Sequence, residues 1–255
     1  MNTLNLIKKE DYVIVELNRG KVNAIDSELM TELGQTFRDL EKDESVKGVI
    51  LTGRPHCFSA GLDVGALLGG GADGARVFWD AYLNGLKALI EFSKPFVCAI
   101  NGYAPAGATI LALCADYRIM GKGAKHVMGM NEFNMSMQIP EMMGQVYIYH
   151  LGEVKAWEYA QTAKLFNSDE ALAVGLVNES VEVEEVLERA EKQLARYIKV
   201  YQKTFVNTKA YFRKELLEIA RNADISEMIK VIVADIEDPK TIAFISGFLA
   251  KLKRK

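Results

Sequence analysis

Two stretches of this sequence restrict its fold more than any others. In residues 49–64 (VILTGRPHCFSAGLDV) and 94–113 (KPFVCAINGYAPAGATILAL), a short uninterrupted apolar run gives way to a glycine-bearing turn and then to a helical pattern. A strand with no polar alternation is buried on both faces, and such strands are joined through helices that cover the sheet. Further strands are expected at residues 13–17, 48–52, 96–101, 116–120 and 176–181, with helices at 27–42, 76–92 and 106–115. The chain is therefore predicted to be of the α/β class.

From about residue 153 the pattern becomes helical, with helices expected at 154–162, 168–174, 182–200, 204–220, 225–236 and 239–253. Ser168 followed by Asp169 and Glu170 marks one helix start, and Asp238-Pro239 another. The glycines of residues 67–76 (LLGGGADGAR) predict a mobile loop. The apolar stretch 229–236 and the closing helix, apolar on more than one side, are expected to bury against another subunit, with packing on their own domain as the alternative.

Basic and acidic residues are nearly balanced, 31 against 34, and well mixed along 255 residues, so no bulk field draws the chain to nucleic acid or an anionic membrane. The basic end KLKRK is too short to change that. Small ligands are the expected partners. Cys57, Cys98 and Cys114 sit among apolar residues and are expected to be reduced and packed. No run approaches the roughly 18 apolar residues of a membrane span, and no secretory signal is visible, which predicts a soluble cytoplasmic protein. His56 is expected in a solvent-exposed loop, and His126 and His150 lack Cys, His or carboxylate partners at ligand spacing, so no metal site is expected.

The chemistry is expected at the two strand-to-helix turns. The first N–H groups of a helix have no intrahelical acceptor, and small residues let a ligand oxygen approach them. Two such donors, one from each turn, would make an oxyanion hole.

At this level the chain resembles the crotonase, or enoyl-CoA hydratase/isomerase, superfamily. The resemblance is carried by Phe58-Ser59-Ala60-Gly61-Leu62-Asp63, by Asn101-Gly102-Tyr103-Ala104 with Gly107, and by Gly175-Leu176-Val177-Asn178. The opening Leu17-Asn18-Arg19 with Asn23-Ala24-Ile25 matches the family's first turn. The resemblance implies a spiral of ββα units over residues 1–195 and a helical oligomerisation region over 196–255, assembled as a homotrimer or a dimer of trimers. It implies acyl-CoA thioester substrates, with no cofactor beyond their coenzyme A moiety.

The same resemblance places the oxyanion hole at the N–H groups of Ala60 and Gly107. Family hydratases use two glutamates. The first belongs three residues beyond Gly107, where this chain has Ile110; the second matches Glu132 in VMGMNEFNMSMQIP. One carboxylate can take a proton from C2 and return it at C4, so the pattern resembles single-glutamate enoyl-CoA isomerases. The surrounding Met128, Met130, Met135 and Met137 would supply an apolar wall and raise the pKa of Glu132. Glu141 is the possible second acid of a hydratase, or simply the first turn of a helix. Lys21, Ala24, Leu62, Asp63 and Lys209 are expected near the coenzyme A moiety, and Leu67, Phe78, Trp79, Tyr82 and Ile110 along the acyl chain. Hydration, another enolate chemistry such as decarboxylation or thioester hydrolysis, and acyl-CoA binding without turnover remain the alternatives.

Overall fold

The structure is a computed structural model that describes residues 1–252; the last residues of the KLKRK end, and the final residue of the expected closing helix, lie outside them. The apolar runs form a six-stranded sheet in the order β1 (Leu4–Lys8), β2 (Tyr12–Leu17), β3 (Gly48–Thr52), β5 (Phe96–Ile100), β7 (Tyr117–Gly121), β9 (Glu179–Val181). β1 meets β2 antiparallel, and every other neighbour is parallel. A second sheet holds three short parallel strands, β4 (His56–Cys57), β6 (Gly102–Pro105) and β8 (Met128–Gly129).

Helix α1 (Ser27–Lys42) joins β2 to β3, α2 (Val64–Gly69) and α3 (Gly71–Glu91) join β4 to β5, and α4 (Gly107–Leu113) joins β6 to β7. α5 (Glu141–Leu151), α6 (Glu153–Gln161) and α7 (Ser168–Ala173) lie between β8 and β9. α8 (Val186–Ile198), α9 (Gln202–Phe212), α10 (Lys214–Asn222), α11 (Ile225–Glu237) and α12 (Pro239–Leu252) complete the described chain. Long strand, short strand and helix recur from β3, from β5 and from β7, which is the expected spiral of ββα units.

The period of two along each strand divides the core. Ile14, Ile50, Val97, Ala99 and Ile119 face α8 through Val186, Ala190 and Leu194. Val49, Leu51, Cys98 and Ile100 point the other way, into the larger core built on α1, α3 and α4. All three cysteines are free thiols, and burial pushes each of them up.

At each turn the chain must leave one sheet and enter the other beside the preceding repeat. A Cβ at Gly102 would lie 2.1 Å from the His56 carbonyl carbon and 2.3 Å from the Cys57 nitrogen, so only glycine lets β6 approach β4. The Asn101 side-chain amide ties the same corner by donating to Gly53 O at 2.8 Å.

Several expectations are corrected. The glycine stretch 67–76 is helical, broken only at Gly70, because the buried Leu67 and Ala75 anchor it and Arg76 pairs with Asp73 and Glu237. The expected helix 204–220 breaks at Arg213, whose buried guanidinium turns inward to donate to Cys114 O. In the stretch 229–236, Ile232, Val233 and Ile236 pack within the chain, where α11 lies on α3. A division at residues 195/196 cuts α8, whose Leu194 belongs to the core. The capping at residue 168 starts one residue earlier, with Asn167 and Glu170 forming a capping box. No helix among the described residues is long and apolar enough to cross a membrane.

The close approach at Gly102 gives a direct test. Gly102→Ala is expected to cost at least about 3 kcal/mol, the upper range of overpacking, read as a lowered Tm or loss of soluble protein. A Tm within a degree of the parent would contradict the β4–β6 register described here.

Candidate active site

The two turns meet. A Cβ on Gly61 would lie 2.9 Å from Pro105 O, and one on Gly107 would lie 2.7 Å from Leu62 Cδ2. The loop before α1 buttresses the first turn: buried Asn23 donates to Phe58 O, and Ser59 Oγ donates to Asn23 O at 2.6 Å while accepting from Gly61 N–H. Asp63 caps α2 by accepting from Ala66 N–H and pairs with Arg19 at 3.1 Å.

The donors can be assigned one by one. Ser59 N–H goes to Tyr103 O, Ala60 N–H to Val22 O at 2.9 Å, and Asp63 N–H to Ile25 O. Ala60 is therefore not the oxyanion donor expected from the sequence, because its N–H is already bonded. Leu62 N–H has no acceptor among the described residues. Gly107 opens α4, and its N–H likewise finds none. Ala106, just before it, adopts φ 53° and ψ −130°, a conformation that costs an alanine about 1–3 kcal/mol and is held by its N–H bond to Gly129 O. The free pair is Leu62 and Gly107, one from each turn.

β6–β8 pairing brings Glu132 to this pair. Ala104 and Pro105 lie opposite Met128 and Gly129, and Thr109 Oγ1 accepts from Gly129 N–H while donating to Ala104 O. Three residues beyond β8, Glu132 opens a 3-10 turn (Glu132–Met135) with 1% of its surface exposed. Neither carboxylate oxygen has a hydrogen-bond partner among the described residues. Burial pushes the carboxyl up to about 7, against the opposing pull of the nearby N–H groups of Glu132 itself and Asn131. Met128, Met130 and Met137 are buried around the turn and Met135 packs against the same core, as the apolar wall requires.

Tyr82 and Tyr147 border the carboxylate. Burial first, and then the Glu132 charge, raise both phenols. Tyr82 donates to Gly107 O at 3.2 Å and so pins the first turn of α4. Trp79 packs edge-to-face on Tyr82, and its buried indole N–H has no acceptor among the described residues. Ile110 is fully buried in α4, where a second acid would have stood. Leu67 and Phe78 are buried in the same core.

Glu141 is exposed in the first turn of α5, in a separate groove with Asp224 and Glu227. It does not join Glu132. Lys21 is exposed and Ala24 half-buried in the loop whose Val22 carbonyl holds Ala60, at the rim of the first turn. Lys209 is elsewhere: its ammonium is buried, donating to Asp116 at 2.8 Å and to Lys94 O at 3.0 Å, near the start of β5. The turns lie beyond the other ends of the strands, so the expected placement of Lys209 near coenzyme A is corrected.

The chain is similar to several known proteins. The family described as enoyl-CoA hydratase/isomerase matches residues 8–249. Enoyl-CoA delta isomerase 1, mitochondrial, of Rattus norvegicus is 32% identical over 257 residues, covering 98% of this chain and 88% of that protein. A crotonyl-CoA hydratase of Syntrophomonas wolfei is 31% identical, covering 76% and 74%. The solved structure of human mitochondrial delta3-delta2-enoyl-CoA isomerase superposes with a TM-score of 0.93 at 28% identity, covering 99% and 98%. The cytoplasmic expectation draws no support from relatives named as mitochondrial.

A partnerless buried acid leaves a mark on stability. With a folded pKa of about 7 against 4.5 for the free group, the folded protein binds the extra proton between those values, so stability falls as pH rises through that window. Glu132→Gln removes the titration. Its stability relative to the parent is expected to rise by about 2.5 kcal/mol between pH 5 and pH 8 in denaturant melts; a difference independent of pH would contradict the burial described.

Proposed function

Because the chain belongs to the enoyl-CoA hydratase/isomerase family, we propose that it shifts the double bond of a 3-enoyl-CoA to the 2 position, with Glu132 as its single base. The observation that carries this reading is Glu132, the one buried carboxylate among the described residues, bordering the Tyr82 ring that bonds Gly107 O, with the Leu62 and Gly107 N–H groups free and Ile110 in the place of a second acid.

The thioester carbonyl oxygen accepts from Leu62 N–H and Gly107 N–H. Negative charge develops there when a proton leaves C2, and donors already aimed at that oxygen need no rearrangement. Removing one such donor typically costs about 2.7–4 kcal/mol of transition-state stabilisation. Glu132 takes the C2 proton, the electrons delocalise across the former double bond, and the same carboxyl returns the proton at C4. A carboxylate with a pKa near 7 is matched to both halves of that task, since it is neither too weak a base to remove the proton nor too strong to give it back.

Hydration would need a second group to activate water. Ile110 offers only hydrocarbon, and Glu141 lies outside the site, which weighs against the hydratase and thioester-hydrolase readings. The chemistry then requires nothing beyond the chain and the coenzyme A of its substrate, with Lys21 and Ala24 at the rim on the coenzyme A side. Assembly as a homotrimer or a dimer of trimers is supported by α9, in which no apolar residue is buried and Tyr211 and Phe212 are exposed, with Tyr201 exposed just before it.

With 3-hexenoyl-CoA, the ultraviolet absorbance of the conjugated thioester should appear at a rate that rises with pH and levels off above about 7. Glu132→Gln should lower kcat by roughly 10²–10⁴-fold; retention of the parental rate would overturn the mechanism. Water addition to crotonyl-CoA at a comparable rate would favour the hydratase reading, and tight thioester binding with no turnover the non-catalytic one. A monomeric mass by light scattering at micromolar concentration would overturn the assembly.

A further inference from the structure

The side chains expected from the sequence to enclose the acyl chain are buried in the core. Leu67, Trp79, Tyr82 and Ile110 are packed against one another and their neighbours, and the gap beside Leu67, bounded by Met137, Ile232 and Ile245, holds only about 10 Å³. That is no more than the roughly 10–15 Å³ needed by one water.

An open space lies beside the Glu132 turn. A cavity of about 320 Å³ lies between the Glu132 turn and helices α5 and α6, walled by Met130, Ile139, Tyr147, Ile148, Ala156 and Ala160. Its size falls within the range of ligand pockets, roughly 300–1,000 Å³. Tyr147 lines the cavity and also borders the carboxylate, and its hydroxyl has no hydrogen-bond partner among the described residues; Met130, in the same wall, is buried beside it. Met130 is unbranched and flexible, so it can yield to a chain passing over it. At the mouth Phe133 and Trp157 meet edge-to-face at 6.0 Å, and these large rings are 39% and 59% exposed. Two aromatic side chains left in water at the rim of an apolar cavity mark a surface that gains by covering hydrocarbon.

We infer that this cavity receives the distal hydrocarbon of the acyl chain, making the protein selective for medium-chain 3-enoyl thioesters, with the small Ala156 and Ala160 leaving room for the chain end. The inference rests on the isomerase reading: C1 to C4 occupy the free N–H groups and Glu132, and carbons from C5 onward pass Met130 into the cavity. Each methylene buried there contributes about 0.8 kcal/mol, or roughly fourfold in kcat/KM, until the cavity is full.

The test is a series of 3-enoyl-CoA substrates from six to fourteen carbons. For the parent, kcat/KM should climb about fourfold per methylene and then level off. In Ala160→Phe, which fills the cavity, and in Trp157→Ala, which opens its mouth, the ratio of ten-carbon to six-carbon kcat/KM should fall about tenfold or more. An unchanged ratio in both variants overturns the inference while leaving the isomerase reading intact. Binding gives an independent readout: Trp157 emission, isolated by difference against Trp157→Phe, should shift to the blue with decanoyl-CoA and stay unmoved with butyryl-CoA. That shift in a protein with no turnover would support the cavity and sink the isomerase reading; turnover without the shift would do the reverse.

Discussion

The structure is organised around a carboxylate with no partner. Glu132 is 1% exposed and neither of its oxygens is hydrogen-bonded among the described residues, an arrangement that folding penalises once the group ionises. The methionines around it, Ile110 on α4 and the rings of Tyr82 and Tyr147 all keep water away. Each of these choices, made for stability alone, would have placed an amide or a hydrocarbon at position 132. The penalty is the source of the chemistry, because a solvated glutamate would be too weakly basic to take a proton from carbon.

That acid is useful only if the developing oxyanion has somewhere to go, and the fold supplies the place through its repeat. Each ββα unit changes sheets at a sharp corner, and successive corners stack, so the free N–H of Leu62 in one unit comes beside that of Gly107 in the next. β8, in the third unit, pairs with β6 and leads into Glu132, which borders Tyr82, the ring that donates to Gly107 O. Three successive repeats thus each contribute one part. The strained Ala106 backbone is the local cost of turning Gly107 N–H outward.

Much of this was legible in the sequence, and the failures have physical causes. Strand 48–52 and helix 27–42 were readable because their signals are local: an unbroken apolar run, and a 3.6-residue apolar stripe. The glycine stretch 67–76 misled because weak helix propensity was overridden by burial of Leu67 and Ala75. Glu132, Gly107 and the apolar substitution at 110 were readable from motif order. Ala60 was the wrong donor because its N–H is taken by Val22, a contact between loops far apart in sequence. The same holds for Lys209, whose partner Asp116 is supplied by another element. The cavity behind Tyr147 could not be read at all, since nothing in the spacing of Phe133 and Trp157 says that their rings meet.

The central claim is that Glu132 titrates as a buried acid. It is tested most directly by carbon NMR of the protein carrying glutamate labelled at the side-chain carboxyl, with the Glu132 resonance assigned by its loss in Glu132→Gln and followed from pH 4 to pH 9. The account predicts a midpoint near 7. A midpoint close to the 4.5 of a free glutamate would mean that water or a hydrogen-bond donor reaches the carboxylate, and would contradict the single-base mechanism built on its isolation.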